Sequence, residues 1–148
     1  MTCISENAFQ GCTALTNLTI PDSVTHIEQQ AFEKCISLAS FTIPESVTHI
    51  HHAAFECCSS LQSLAVPNSA THIGNFAFQL CSSWPSFTIS DSVTHIESGA
   101  LQGCSSLTKL TIPNSLTHIE SFACEGCSSF FHKLDHPRLC YPHWALCL

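Results

Sequence analysis

Apolar positions along this chain recur every 23 residues, a period far longer than that of a strand or a helix. Ile4, Ile27, Ile50, Ile73, Ile96 and Ile119 keep that spacing without an insertion. Ala8, Ala31, Ala54, Ala77, Ala100 and Ala123 share the phase, as do Cys12, Cys35, Cys58, Cys81, Cys104 and Cys127. One unit reads I-x-x-x-A-F-x-x-C-x-x-L-x-x-L-T-I-P-x-S-V-T-H. Five full units run from Ile4 to His118, and a sixth begins at Ile119. A short, insertion-free period predicts a β-rich solenoid of about five to six coils, stacked to bury a shared core. Within a unit, Leu18 and Ile20 alternate with polar neighbours, which predicts a strand that Pro21 ends. Val24 to Ile27 predicts a second short β stretch. The Ala8-Phe9 step predicts a tight helical or 3₁₀ turn.

The spacing Leu15, Leu18, Ile20 is similar to the strand signature of leucine-rich repeats. The whole unit, A-F-x-x-C-x-x-L-x-x-L-x-I-P-x-S-V-T-x-I, resembles the BspA-like leucine-rich-repeat family from Ile4 to about Ser129. The resemblance implies a right-handed coil stack with short strands and tight turns, a surface-exposed adhesion or interaction role, and no catalytic residues. Other leucine-rich repeats carry a hydrogen-bonding Asn in their turn. Here that column is Ser23, Ser46, Ser69, Ser92 and Ser115, whose hydroxyls are suited to satisfying turn backbone.

Composition narrows the possible roles. The 148 residues carry a formal charge of −7 and only four Lys and Arg, too few for a phosphate-tracking surface, so no nucleic-acid partner is expected. No apolar run approaches the roughly 18 residues of a membrane span. Met1 to Gly11 has neither the basic region nor the apolar stretch of a signal peptide. Compartment stays open: free thiols suit a reducing cytosol, whereas the family resemblance suggests a cell surface.

The recurring polar and sulfur columns are the candidate chemistry. The inward Cys column predicts stacked free thiols, because parallel Cβ atoms about 4.8 Å apart exceed the roughly 3.5–4.5 Å of a disulfide. Cys3, Cys57, Cys124, Cys140 and Cys147 fall outside it, with Cys124 in the Phe column. His26, His49, His72, His95 and His118 form a histidine column that His51 and His52 thicken. Parallel rings diverge, so no resident metal or other cofactor is expected, and neighbouring imidazoles oppose one another's protonation. The Thr columns lack the paired T-x-T of ice-binding solenoids and read as ordinary strand residues. Trp84 lies in a core Leu column, which predicts burial.

The exposed positions of the leucine-rich strand are the candidate ligand-binding face: Thr16, Asn17, Thr19, Ser40, Thr42, Gln62, Ser63, Ser86, Thr88, Thr108, Lys109 and Thr111. They are small, nearly uncharged and without an aromatic or arginine anchor, which predicts weak or low-specificity contacts. Catalysis needs one unique constellation, whereas Ser, His and acidic residues here recur in columns, so no enzyme is expected.

Beyond residue 129 the repeat stops. His132, His136, Cys140, His143 and Cys147 have spacing that a zinc site could use. A simpler source is a frameshift. Permitted codons for Phe130 to Trp144, read one nucleotide later, encode Ser-Ser-Thr-Ser-Leu-Thr-Ile-Pro-Asp-Ser-Val-Thr-His-Ile, which is the repeat itself. Residues 1–129 are therefore read as solenoid and 130–148 as an irregular, frameshifted tail.

The leading expectation is a non-enzymatic scaffold for a protein or cell-surface ligand, a fragment of a longer array. Its uncapped end coils invite end-to-end or edge self-association. The alternatives are a metal- or redox-responsive protein using the His and Cys columns or the tail, and a truncated product without independent function.

Overall fold

The computed structural model describes residues 2–128, so the tail expectation lies outside the described residues. Ten short strands form: β1 (Thr2–Ile4), β2 (Asn17–Leu18), β3 (Val24–Ile27), β4 (Ser40–Phe41), β5 (His49–Ile50), β6 (His72–Ile73), β7 (Ser86–Thr88), β8 (His95–Ile96), β9 (Lys109–Thr111) and β10 (His118–Ile119). All pairings are parallel, as they must be when each strand meets its own copy one coil later. None of the described residues is helical, and so no described helix is long and apolar enough to cross a membrane.

The continuous sheet is the V-T-H-I one, ordered β1-β3-β5-β6-β8-β10. Its register pairs His26 with His49, His49 with His72, His72 with His95 and His95 with His118, and each Ile with the next Ile. The leucine-rich side, where the sequence signature is stronger, is interrupted instead. It forms one pair, β2-β4, extended by a bridge from Ser40 to Ser63, and a separate pair, β7-β9.

Between these two sides lies the core. The Ile and Ala columns close it from Ile27 and Ala31 onward, and Phe32, Phe55 and Phe78 stack along it with centroids 5.1 and 5.6 Å apart. Alternation decides which strand residues enter: Phe41, Leu64 and Phe87 are buried while Ser40, Ser63 and Ser86 are exposed.

The turn after each Ile is tight, as expected, but it is not a helical one. Ala31, Glu33 and Cys35 donate their amides back three residues, to Glu28, Gln30 and Phe32. The intervening Gln30, Phe32 and Lys34 donate forward to His52, Ala54 and Glu56 of the next coil. Left-handed backbone at Gln30 (φ 55°) and Lys34 (φ 59°) interrupts any helix in this turn. The same two columns are left-handed in every described turn, through Asn7, Ala53, Phe76, Gly99 and Phe122 and through Gly11, Cys57, Leu80, Gly103 and Gly126. A side chain there is strained, which is why glycine appears in both columns.

Glycine has a second role at coil five. A Cβ on Gly99 would lie 2.3 Å from the Phe76 ring, and one on Gly103 would lie 2.6 Å from Leu80 Cδ2. The bulky residues of one coil therefore rest on the glycines of the next. At Gly126 a Cβ would meet only ordinary contacts, with Gly103 Cα 3.5 Å away. Gly126→Ala is expected to cost about 1 kcal/mol from backbone strain alone. Gly74→Ala should cost more, up to about 3 kcal/mol, because its Cβ would lie 2.9 Å from the His51 backbone carbonyl carbon, which cannot swing aside as the exposed Leu80 side chain can. Urea denaturation of both variants checks the order; equal losses would refute the packing argument.

Candidate functional site

Three columns of side chains complete hydrogen bonds between coils. Ser46, Ser69, Ser92 and Ser115 donate their hydroxyls to the carbonyls of Val24, Val47, Ala70 and Val93, one coil back, at 2.6, 2.5, 2.7 and 3.1 Å. The serine column thus satisfies turn backbone, and the backbone it satisfies belongs to the preceding coil. Thr25, Thr48, Thr94 and Thr117 donate to the carbonyl of the equivalent Thr one coil back, at 3.0–3.4 Å. Cys35, Cys58, Cys81, Cys104 and Cys127 place their thiols 3.1–3.3 Å from the carbonyls of Phe9, Phe32, Phe55, Phe78 and Leu101. An S–H donor of small volume fits a site that is apolar on all sides except for one carbonyl. Cys12 departs from the inward expectation: it is exposed, because no preceding coil covers it among the described residues. Cys124 is buried in the Phe column.

Burial decides the chemistry of these thiols. Loss of solvent pushes Cys35 up to about 11, with the neighbouring Cys12 adding to the rise. Cys58 and Cys81 are pushed higher still, again chiefly by burial and then by the neighbouring cysteine. Thiolate is the reactive species, so these groups are inert while the coils stay stacked.

On the opposite side, the histidines stack face to face. Ring centroids are 4.8 Å apart for His26–His49, 6.0 Å for His49–His72, 4.8 Å for His72–His95 and 4.4 Å for His95–His118. His51 joins at 5.8 Å from His26 and 5.7 Å from His49, and its Nε2 lies 3.8 Å from a Glu28 carboxylate oxygen. Each stacked ring sets Nδ1 2.8–2.9 Å from the Oγ1 of the preceding Thr. Where that hydroxyl donates to a carbonyl, as at Thr25, Thr48, Thr94 and Thr117, it is left to accept from Nδ1–H. Among the described residues, no group of three or more His, Cys, Asp or Glu side chains is placed to hold a metal ion. Parallel planes keep the nitrogen lone pairs from converging.

The candidate ligand face lies on the leucine-rich side. All twelve residues, Thr16, Asn17, Thr19, Ser40, Thr42, Gln62, Ser63, Ser86, Thr88, Thr108, Lys109 and Thr111, are exposed. They are not one flat sheet, because strand pairing stops after the third coil. There a cleft of about 490 Å³ opens, lined by Phe41, Thr42, Ser63, Leu64, Ala65, Val66, Asn68, Ser86, Thr88 and Ser90. Thr42, Ser63, Ser86 and Thr88 were legible as exposed strand positions. Asn68 and Ser90 were missed, although Ser90 stands where the other coils have Pro21, Pro44, Pro67 and Pro113. Trp84 is fully buried, stacked on Phe87 at 4.8 Å, and its Nε1 has no acceptor.

Parallel strands repeating every coil, an L-x-x-L-x-I side and tight turns define a leucine-rich-repeat solenoid. The description of the BspA type leucine rich repeat region matches residues 2–130 in six copies, and the chain belongs to that family. Among solved structures it is similar to a leucine-rich repeat protein from Bacteroides ovatus, with 36% identity and TM-score 0.78 over 85% of this chain. It is also similar to a leucine rich repeat protein of T. pallidum, with 26% identity and TM-score 0.78 over 93%. A leucine rich cell surface protein from Faecalibacterium prausnitzii is 32% identical, with TM-score 0.67 over 72%. The chain spans 33%, 74% and 32% of those three proteins, respectively. No curated protein matches it.

Two measurements follow from this geometry. At pH 8, Ellman's reagent with peptide mapping should label Cys3 and Cys12 quickly, and Cys58, Cys81 and Cys104 only after denaturation. Equal labelling rates would show that the thiol column is not sealed. Acid should destabilise the coils. Burial and then the neighbouring imidazoles lower His49 and His95, so the unfolded state binds more protons at these sites. Their contribution is complete above the unfolded value of about 6.5 and is lost as pH falls through the lower folded values. Glu33 adds to the loss further into acid. Burial raises its carboxyl, but Lys34, Gln10 and Gln30 together hold it below the ordinary range. Glu56, raised by burial and by Glu33, works in the opposite sense. The expected sum is a lower Tm at pH 5 than at pH 7.5; an unchanged Tm would contradict it.

Proposed function

We propose that the chain is a non-enzymatic scaffold whose leucine-rich side binds a protein or cell-surface ligand. One observation carries this reading: twelve small polar side chains, from Thr16 to Thr111, are all exposed on one side of the coils. Burial of the alternating Leu, Phe and Ile positions fixes them there, which pre-organises the surface without loop ordering. Membership of a leucine-rich-repeat family supports a scaffold role, and the similar Faecalibacterium protein is described as a cell surface protein. Fold alone does not name the partner; chemistry of the exposed columns must. That surface holds one cation, Lys109, and no acidic group, so its contacts are hydrogen bonds from hydroxyls and amides. Among the described residues, no observation favours the metal or redox reading: the stacked thiols from Cys35 to Cys127 are buried and the stacked imidazoles lie parallel.

Site-specific photo-crosslinking tests the face. A benzoylphenylalanine placed at Thr16, Ser40 or Lys109 should yield adducts with an extracellular protein or glycan mixture. The same probe at Asp22, Glu45 or Asp91, on exposed turns, should yield few. Adducts distributed evenly between the two sets would defeat the proposal.

A further inference from the structure

The cleft between the third and fourth coils has a definite cause. On the leucine-rich side, each coil is tied to the one before it by a backbone amide: Ala39 to the Thr16 carbonyl, Gln62 to Ala39, Thr108 to Pro85. The equivalent residue in the fourth coil is Pro85, which has no N–H to give to Gln62. One position earlier, Trp84 replaces the Leu of the other coils and fills the core with a larger ring. No backbone hydrogen bond joins residues 61–66 to 84–89. The Phe column is also wider at this step, 5.6 Å for Phe55–Phe78 against 5.1 Å at the two steps before it, whereas His72 and His95 stay 4.8 Å apart, so the opening is confined to the leucine-rich side and the core beneath it. The seam is bridged at both ends by side chains: the Ser83 hydroxyl donates to the Ser59 carbonyl at 2.6 Å and the Ser90 hydroxyl to Asn68 Oδ1 at 2.9 Å.

We propose that this cleft binds an uncharged, extended peptide segment, whose backbone takes up the pairing that the chain leaves unmade between residues 62–66 and 85–89. The inference rests on the leucine-rich side being an interaction surface and narrows it to one place and one class of ligand. What is missing at the seam is strand pairing, and a peptide in β conformation supplies alternating N–H and C=O groups at the spacing of a strand edge. Phe41, Leu64 and Val66 offer an apolar floor for alternate side chains, while Ser63, Ser86 and Thr88 offer hydroxyls along the rim. No Asp, Glu, Lys, Arg or His lines the cleft, so a charged side chain would be desolvated there without a partner. The volume lies within the roughly 300–1,000 Å³ of ordinary ligand sites.

The probe is fluorescein-labelled acetyl-Thr-Asn-Leu-Thr-Ile-Pro-amide, which copies residues 16–21, titrated by anisotropy into the full chain. Saturable binding is expected. It should weaken by about tenfold or more with alternate amides of the probe N-methylated, and likewise with Ser63→Arg, which blocks the cleft. Trp84→Leu with Pro85→Thr restores the pattern of the other coils, closes the seam and should abolish binding while leaving the urea midpoint no lower. Asp22→Arg, on an exposed turn outside the candidate face, should bind unchanged. The proposal is overturned by equal binding to the seam-closed variant, by indifference to N-methylation, by no saturable binding, or by binding of cellohexaose in place of the peptide. If Thr16→Arg, on the candidate face but away from the cleft, loses binding while the seam-closed variant keeps it, the cleft assignment fails and the wider face survives. Failure of the face itself is read from the crosslinking pattern instead.

Discussion

A coil of 23 residues cannot satisfy its own backbone. In this protein roughly alternate amides find their carbonyl in an adjacent coil, and the rest of the structure follows from that dependence. The turn makes it plainest: alternate amides, such as those of Ala31 and Glu33, stay inside the coil, while those of Gln30, Phe32 and Lys34 reach into the next. Such alternation needs left-handed backbone twice per turn, which explains both the recurring glycines and the strained side chains that stand in their place.

The side-chain columns complete this same exchange. Serine, threonine and cysteine each carry a short donor, and each reaches a carbonyl of the preceding coil. The carbonyls of Val47, Ala70 and Val93 take no backbone amide, and leaving such a buried group unpartnered costs on the order of 1–3 kcal/mol, so the serines stabilise the stack most directly; the carbonyls under the threonines and cysteines already accept an amide and gain a second donor. The histidine column is different. Its rings are held in register by threonine hydroxyls and lie close enough that protonating one disfavours protonating the next. Stability of the stack and acidity of the medium are thereby linked.

Regularity also gives irregularity its meaning. In the fourth coil Trp84, Pro85 and Ser90 stand where neighbouring coils have Leu, a residue with a free amide, and Pro. Each change acts on one side of the solenoid. Together they leave the V-T-H-I sheet unbroken and open the leucine-rich one. A repeat protein can build a unique site in this way without an inserted loop.

The 23-residue period by itself determined the solenoid, the parallel stacking and the identity of the core columns, because an identical unit can bury its apolar face only against its own copy. It also determined that Thr16 through Thr111 face solvent, since strand alternation follows from the positions of Leu and Ile. Only the tertiary structure decided which of the two β segments forms the continuous sheet. The signature pointed to L-x-x-L-x-I, yet Pro85 and Trp84 break pairing there, and His-Ile pairs run on undisturbed. The carbonyl partners of Ser46, Thr48 and Cys58 were likewise beyond the sequence, and so was the cleft. Each depends on the distance between two coils, and that distance is set jointly by side chains 22 to 26 residues apart rather than by any local run.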